Sequence, residues 1–169
     1  VGLYMEDTIQ VEEEPYFGYM RGALTCEELK EADAYAEIFG IELRPFIQTL
    51  AHLNQIVRYE EYQKIIDTDD ILLAEDPRTK TLLEHLIRTV SKNFSSKIIN
   101  IGMDEAHMVG LGKYLDQHGY RNRQEIMQRH LEMVLSICKQ YGFTVQMWSD
   151  MFFRLAFHGA YYENDVEKL

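Results

Sequence analysis

Ile98-Ile99-Asn100-Ile101-Gly102-Met103 is apolar apart from one asparagine, and it runs directly into two carboxylates, Asp104-Glu105. Ile98, Ile99 and Ile101 favour a pleated, covered strand, and Gly102 lets the chain turn out of it. Two ionisable side chains at the carboxyl end of such a strand are costly unless they are paired or used. In parallel α/β folds, ligands sit over that end of the strands. The plainer reading is that Asp104 caps a following helix and Glu105 faces water, since Asp is a common cap. Neighbours on a regular strand point to opposite faces, so both carboxylates serve one site only where the strand has ended and the chain is turning.

Outward from this stretch, the chain alternates. Gly2 to Met5 reads as a short strand running into Glu6-Asp7. Residues 8–24 read as a long functional loop with an acidic run, Glu12-Glu13-Glu14, followed by Pro15 and two glycines. Thr25 and Glu28 form a capping box for a helix that continues to Phe39, with Gly40 as its stop. A second strand covers 41–47 and ends near Gln48-Thr49-Leu50-Ala51-His52. A short helix is expected around 59–66, and a main helix over about 78–94, where Leu82, Leu83, Leu86, Ile87 and Val90 make an apolar stripe. After the strand at 98–103 and a Gly-rich loop, a third main helix covers about 122–141, with Gly142 closing it. Phe143 to Trp148 is the fourth strand, ending in Ser149-Asp150.

Strands separated by helices imply right-handed crossovers and a parallel sheet, so the fold class is α/β. Polar groups gather at the strand carboxyl ends: Glu6-Asp7, His52, Asp104-Glu105, and Trp148 with Asp150. Successive strands delivering such groups to one rim is the pattern of a barrel active site. A doubly wound sheet would place ligands there too, but the sequence has neither GxGxxG nor GxxxxGK[ST] to hold a nucleotide.

Composition narrows the function classes. The 169 residues suffice for one domain, taken as 1–169, and 46% hydrophobic residues point to a packed core. A net charge of −11 disfavours nucleic acid and anionic membrane as partners. No apolar run approaches a membrane span. Cys26 and Cys138 lie in expected helices, show no metal spacing and are read as reduced thiols, and a cytoplasmic rather than secreted location is expected. The chain starts at Val1 rather than Met, which fits a piece of a longer protein. Without HExxH or HxH, neither a metal nor another cofactor is expected. His107, His118 and His130 follow no ligand spacing and are read as surface or packing residues.

A carboxylic acid over a barrel mouth suits proton donation to a leaving oxygen, and a second carboxylate stabilises developing positive charge. Trp148 would wall a sugar face or fill the core, and His52 alone reads as structural more readily than catalytic.

These residues resemble a known family. Ile99-Asn100-Ile101-Gly102-Met103-Asp104-Glu105 resembles the catalytic Asp-Glu motif of family-20 glycoside hydrolases, the β-N-acetylhexosaminidases. Leu3-Tyr4-Met5-Glu6-Asp7-Thr8, Pro15-Tyr16-Phe17-Gly18-Tyr19, Ile47-Gln48-Thr49-Leu50-Ala51-His52-Leu53 and Met147-Trp148-Ser149-Asp150-Met151 are similar to the bacterial exo-acting N-acetylglucosaminidases of that family. The resemblance implies a partial (β/α)8 TIM barrel, with these four strands matching the second to fifth. The family's sugar-binding arginine and later pocket aromatics would then lie outside the chain.

By the same resemblance the substrate's own acetamide is the nucleophile, and the substrates are glycans bearing N-acetylglucosamine or N-acetylgalactosamine. Glu105 would be the acid and base, and Asp104 would hold the acetamide N–H. His52 would link Glu105 to Glu6 or Asp7, Trp148 would line the acetamide pocket, and Asp150 would meet a sugar hydroxyl. An isolated partial barrel is expected to form homo-oligomers or be poorly stable, because its open edges invite association, and to be hydrolytically weak or inactive. The alternative function is a catalytically silent carbohydrate-binding or structural α/β domain.

Overall fold

The computed structural model describes residues 1–157 and 159. In chain order the elements are β1 (Gly2–Glu6), α1 (Cys26–Ile38), β2 (Arg44–Ile47), α2 (Glu60–Gln63), β3 (Ile66–Thr68), β4 (Ile71–Leu72), α3 (Pro77–Asn93), β5 (Ile98–Asn100), α4 (Lys113–His118), α5 (Arg123–Gln140), β6 (Thr144–Gln146) and α6 (Asp150–Ala156). Four strands form one sheet in the order β1-β2-β5-β6, and every neighbouring pair is parallel. The main crossovers are helical, as the alternation of the sequence implied.

Local chemistry explains the helix ends. The Thr25 hydroxyl accepts from the Glu28 amide at 3.1 Å, and the Thr25 amide donates to the Glu28 carboxylate at 2.8 Å, so the capping box of α1 is formed. Asp76 caps α3 by accepting from the Arg78 and Thr79 amides, and Pro77 takes the first helical position, where no amide is needed.

The two faces of the sheet differ. Parallel pairing aligns Tyr4, Phe46, Asn100 and Gln146 in one row across the four strands. Tyr4 and Gln146 on that face are exposed and Phe46 is half-buried. The alternate residues Met5, Ile47 and Ile99 are buried, in one apolar cluster with Leu82, Leu86 and Val90 of α3 and Ile126, Val134 and Ile137 of α5. α1 packs on α3, and α3 packs on α5. The sheet is thus an arc with helices on its buried side and an uncovered inner face.

Two expectations on extent need correction. The strands are shorter than 41–47, 98–103 and 143–148: β2 starts only at Arg44, β6 covers Thr144–Gln146, and β5 ends at Asn100 because the chain leaves β geometry at Gly102 and Met103, both with φ near +70°. The short helix expected around 59–66 covers only Glu60–Gln63, and an antiparallel hairpin, β3–β4, follows it, turning through Asp69 at φ +39°.

Loop 8–24 is tied down by a buried ion cluster. Glu14 is 1% exposed and accepts from both terminal nitrogens of Arg78, at 2.8 and 2.5 Å. His85 Nδ1 lies 2.8 Å away and the Tyr62 hydroxyl donates at 3.1 Å. Burial pushes the Glu14 carboxyl up, but the Arg78 and His85 hydrogen bonds and the Arg78 charge outweigh it and hold the group below the usual carboxylate range. The acidic run of the loop therefore includes the loop's buried anchor.

Candidate active site

The carboxyl ends of β1, β2 and β5 converge on one side of the sheet. After β5 the Asn100 side chain accepts from the Gly102 amide at 2.8 Å and starts the turn. Gly102 at φ +72° is a position only glycine fits, since a Cβ there would lie 2.0 Å from the Gln48 side-chain oxygen. Met103 and Glu105 follow at φ +70° and +54°. Glu6 and His52 are also left-handed, at φ +48° and +59°. Left-handed non-glycine residues are costly, and here they gather at strand ends where the carboxylates and the imidazole lie. The turn brings Asp104 and Glu105 to the same side, which a continuing strand would forbid.

Asp104 is the hub. Its Oδ1 accepts from Gln48 Nε2 at 2.9 Å and its Oδ2 lies 3.2 Å from His52 Nε2. Glu105 Oε2 is 3.8 Å from the same His52 nitrogen. The Asp104 side chain is 22% exposed and that of Glu105 is 57% exposed, so Glu105 is the carboxyl more open to an incoming group. The Glu105 amide donates to Asp150 Oδ2 at 3.0 Å, which steadies the turn from the start of α6.

The expected link from His52 to Glu6 or Asp7 is not formed. Glu6 accepts from the Tyr4 hydroxyl at 3.0 Å, and Asp7, 1% exposed, pairs with Arg21 at 3.3 Å. The bulge at Tyr4/Glu6 and the left-handed Glu6 turn β1 into its loop before either carboxylate reaches the imidazole. The carboxylate on the other side of His52 is Asp70, from the β3–β4 turn, which accepts from the His52 main-chain amide at 3.0 Å.

Trp148 is not a core residue. It is 45% exposed on the open face, edge-on to Phe46 at 6.1 Å, and its amide donates to the Gly102 carbonyl at 3.1 Å. Asp150 meets the Glu105 main chain through Oδ2, while its buried Oδ1 has no partner among the described residues. Among those residues no group of three or more His, Cys, Asp or Glu side chains is arranged to hold a metal, and no helix is long and apolar enough to cross a membrane. Cys26 and Cys138 are free thiols. A cavity of about 640 Å³ lies within loop 8–24, not over the Asp104–Glu105 pair.

Several residues around the pair escaped the sequence reading. Asp67 accepts from the amides of Gly110, Gly112 and Tyr114 at 2.6, 3.2 and 2.8 Å, pinning the glycine loop that follows the pair. The Asp67-Thr68-Asp69-Asp70 run between two isoleucines was the available signal for the hairpin that supplies both Asp67 and Asp70.

His130, read as a packing residue, sits 1% exposed on α5 and donates through Nε2 to the Thr49 carbonyl at 2.8 Å. The Thr49 hydroxyl in turn donates to the Ile101 carbonyl at 2.8 Å, so the ends of β2 and β5 are tied beneath the site. Burial pushes the imidazole down to about 4, and Nδ1 is buried with no hydrogen-bond partner among the described residues. The unfolded chain binds the proton first, near pH 6.5. Full stability from the neutral ring is therefore expected above about pH 6.5, with a loss of about 3 kcal/mol once pH has fallen through 4. Urea denaturation of wild type and His130→Gln between pH 7 and 4 checks this. Wild type should lose stability faster on acidification, and parallel curves would remove His130 from the account.

The sequence matches the family model for the glycosyl hydrolase family 20 catalytic domain over residues 6–165. No curated protein gives a significant sequence match. Among solved structures, the fold is similar to the family-20 β-N-acetylhexosaminidase of Streptomyces coelicolor, at 16% identity and TM-score 0.72, covering 89% of this chain and 33% of that one. It is similar to the β-N-acetylhexosaminidase of Bacteroides fragilis, at 18% identity and TM-score 0.73, covering 90% and 36%. A third is an exo-β-N-acetylglucosaminidase from Vibrio harveyi in complex with N-acetylglucosamine, at 15% identity and TM-score 0.71, covering 97% and 32%. The chain thus spans about a third of these solved relatives, and its four parallel strands form part of a (β/α)8 barrel. The chain belongs to glycosyl hydrolase family 20, within its catalytic domain.

Proposed function

We propose that this segment carries the acid–base centre of a retaining β-N-acetylhexosaminidase that removes terminal N-acetylglucosamine or N-acetylgalactosamine from glycans. The observation that carries the reading is one left-handed turn presenting Glu105 to solvent while Asp104 beside it is held by Gln48 and His52.

In the first step the acetamide oxygen of the substrate bonds to the anomeric carbon as the glycosidic bond breaks, and Glu105 gives its proton to the leaving oxygen. Asp104 accepts the acetamide N–H and faces the positive charge that develops on the cyclised group. In the second step water attacks the anomeric carbon, Glu105 takes the water's proton, and the acetamide oxygen leaves with net retention. No enzyme nucleophile is needed, a recognised exception to the two-carboxylate scheme. Trp148 and Phe46 supply apolar wall on the open face, and Asp150 holds the turn that aims Glu105. The uncovered inner face supports a site completed by further barrel strands, with weak activity and self-association for the isolated arc.

A polypeptide carrying this segment in a complete barrel should hydrolyse an aryl N-acetyl-β-glucosaminide with β-configured product, and should leave the aryl β-glucoside, which lacks the acetamide, nearly untouched. Comparable rates on the two substrates, or an α-configured first product, would overturn the mechanism.

A further inference from the structure

Gln48 is fully buried, yet both hydrogen-bonding partners of its amide nitrogen belong to the rim. Nε2 donates to Asp104 Oδ1 at 2.9 Å and to the Tyr4 hydroxyl at 3.2 Å. The Tyr4 hydroxyl in turn donates to Glu6 Oε1 at 3.0 Å. Desolvation of the Tyr4 hydroxyl, with the Glu6 charge adding to it and the Gln48 bond opposing it, pushes the phenol up to about 12, so it stays a donor. Every hydrogen bond in the line Asp104–Gln48–Tyr4–Glu6 therefore has a fixed direction. The amide is also fixed in place, because its oxygen packs on Gly102, where a Cβ would be only 2.0 Å away.

We propose that Gln48 is a positioning residue for Asp104, and that through Tyr4 it joins Glu6 to the site. By occupying Oδ1, Gln48 turns the carboxylate so that Oδ2 alone faces His52 and the space where an acetamide N–H would arrive. Glu6 enters the chemistry by this route and not through His52. The geometry also explains why position 102 is glycine: the turn that presents Glu105 and the amide that holds Asp104 share that space. The proposal rests on the acid–base reading above for its kinetic consequences, but not for its hydrogen bonds.

The test uses Gln48→Met, which keeps the shape and removes the donors, and Gln48→Glu. While neutral, the introduced glutamic acid still donates one O–H to Asp104. Once ionised, it sets a carboxylate against Asp104, with Glu6, Glu105, His52 and Tyr4 as the other titratable neighbours. In the complete barrel, Gln48→Met should lower kcat on the aryl N-acetyl-β-glucosaminide by about 10- to 100-fold, the scale of misplacing a group by roughly 1 Å. Affinity for a thiazoline mimic of the cyclised intermediate should fall with it. Gln48→Glu should keep activity at acidic pH and lose it as pH rises while circular dichroism shows the fold retained, which separates loss of positioning from unfolding driven by the buried carboxylate. This variant is its own control should Gln48→Met fold poorly.

Independently of activity, the Gln48 side-chain amide resonances in this chain, assigned by their loss in Gln48→Met, should move on Asp104→Ala. Wild-type kcat and thiazoline affinity in Gln48→Met, an unchanged pH profile in Gln48→Glu, or amide resonances indifferent to Asp104 would overturn the proposal. A complete barrel inactive on the glucosaminide would instead defeat the functional reading, and the resonance measurement would still decide the role of Gln48.

Discussion

Glu105→Gln, in a polypeptide that completes the barrel, is expected to lower turnover by about 10²–10⁴-fold on N-acetyl-β-hexosaminides with poor leaving groups, the scale of general acid–base help. That corresponds to roughly 3–5 kcal/mol of barrier. The substitution is nearly isosteric, and the contact that holds the turn, from the Glu105 amide to Asp150, uses main chain and survives it. The loss should therefore report proton transfer rather than a collapsed site. It should shrink across a series of aryl leaving groups as the departing phenol becomes more acidic, since such groups leave without a proton. In the mechanism proposed above deglycosylation uses Glu105 as a base, so a residual defect should persist even with the best leaving group. Equal losses across the series would count against Glu105 as the acid.

The backbone alternation was legible because it rests on short-range signals. The capping box at Thr25 and Glu28, the apolar stripe of α3 and the isoleucines of β5 each act through neighbours a few residues away, and each element formed where its signal lay. The Asp104-Glu105 pair was legible for the same reason, since a glycine followed by two carboxylates after a buried strand is itself local. What failed was partner choice. His52 was matched to Glu6 or Asp7, but the bulge in β1 turns both away, and Asp70 from an unrecognised hairpin takes the histidine's main chain.

Gln48 carries no sequence signal of its own. A glutamine at a strand end reads as a polar rim residue, and only the space vacated at Gly102 shows that its amide is buried against Asp104. The Glu14 anchor was hidden in the same way. Three consecutive glutamates read only as an acidic run in a loop, and the Arg78, His85 and Tyr62 that hold the third lie on elements 48 to 71 residues away.

Asp104→Ala carries the second large effect. Asp104 is held on both oxygens, by Gln48 on Oδ1 and beside His52 on Oδ2, so its orientation is set before substrate arrives. An oriented charge of this kind stabilises charge that develops only in the transition state, and removing one such partner typically costs about 10²–10³-fold in kcat. Substrates that react through the acetamide should show that loss whatever their leaving group, which separates this variant from Glu105→Gln. The alanine leaves Gln48 its Tyr4 contact and leaves His52 its main-chain bond to Asp70, so the surrounding turn keeps much of its support. The thiazoline mimic presents the cyclised group directly and should bind the wild-type complete barrel well and Asp104→Ala poorly. Unchanged affinity in the variant would remove Asp104 from the acetamide, and a loss that tracked leaving-group acidity would reassign it to proton transfer.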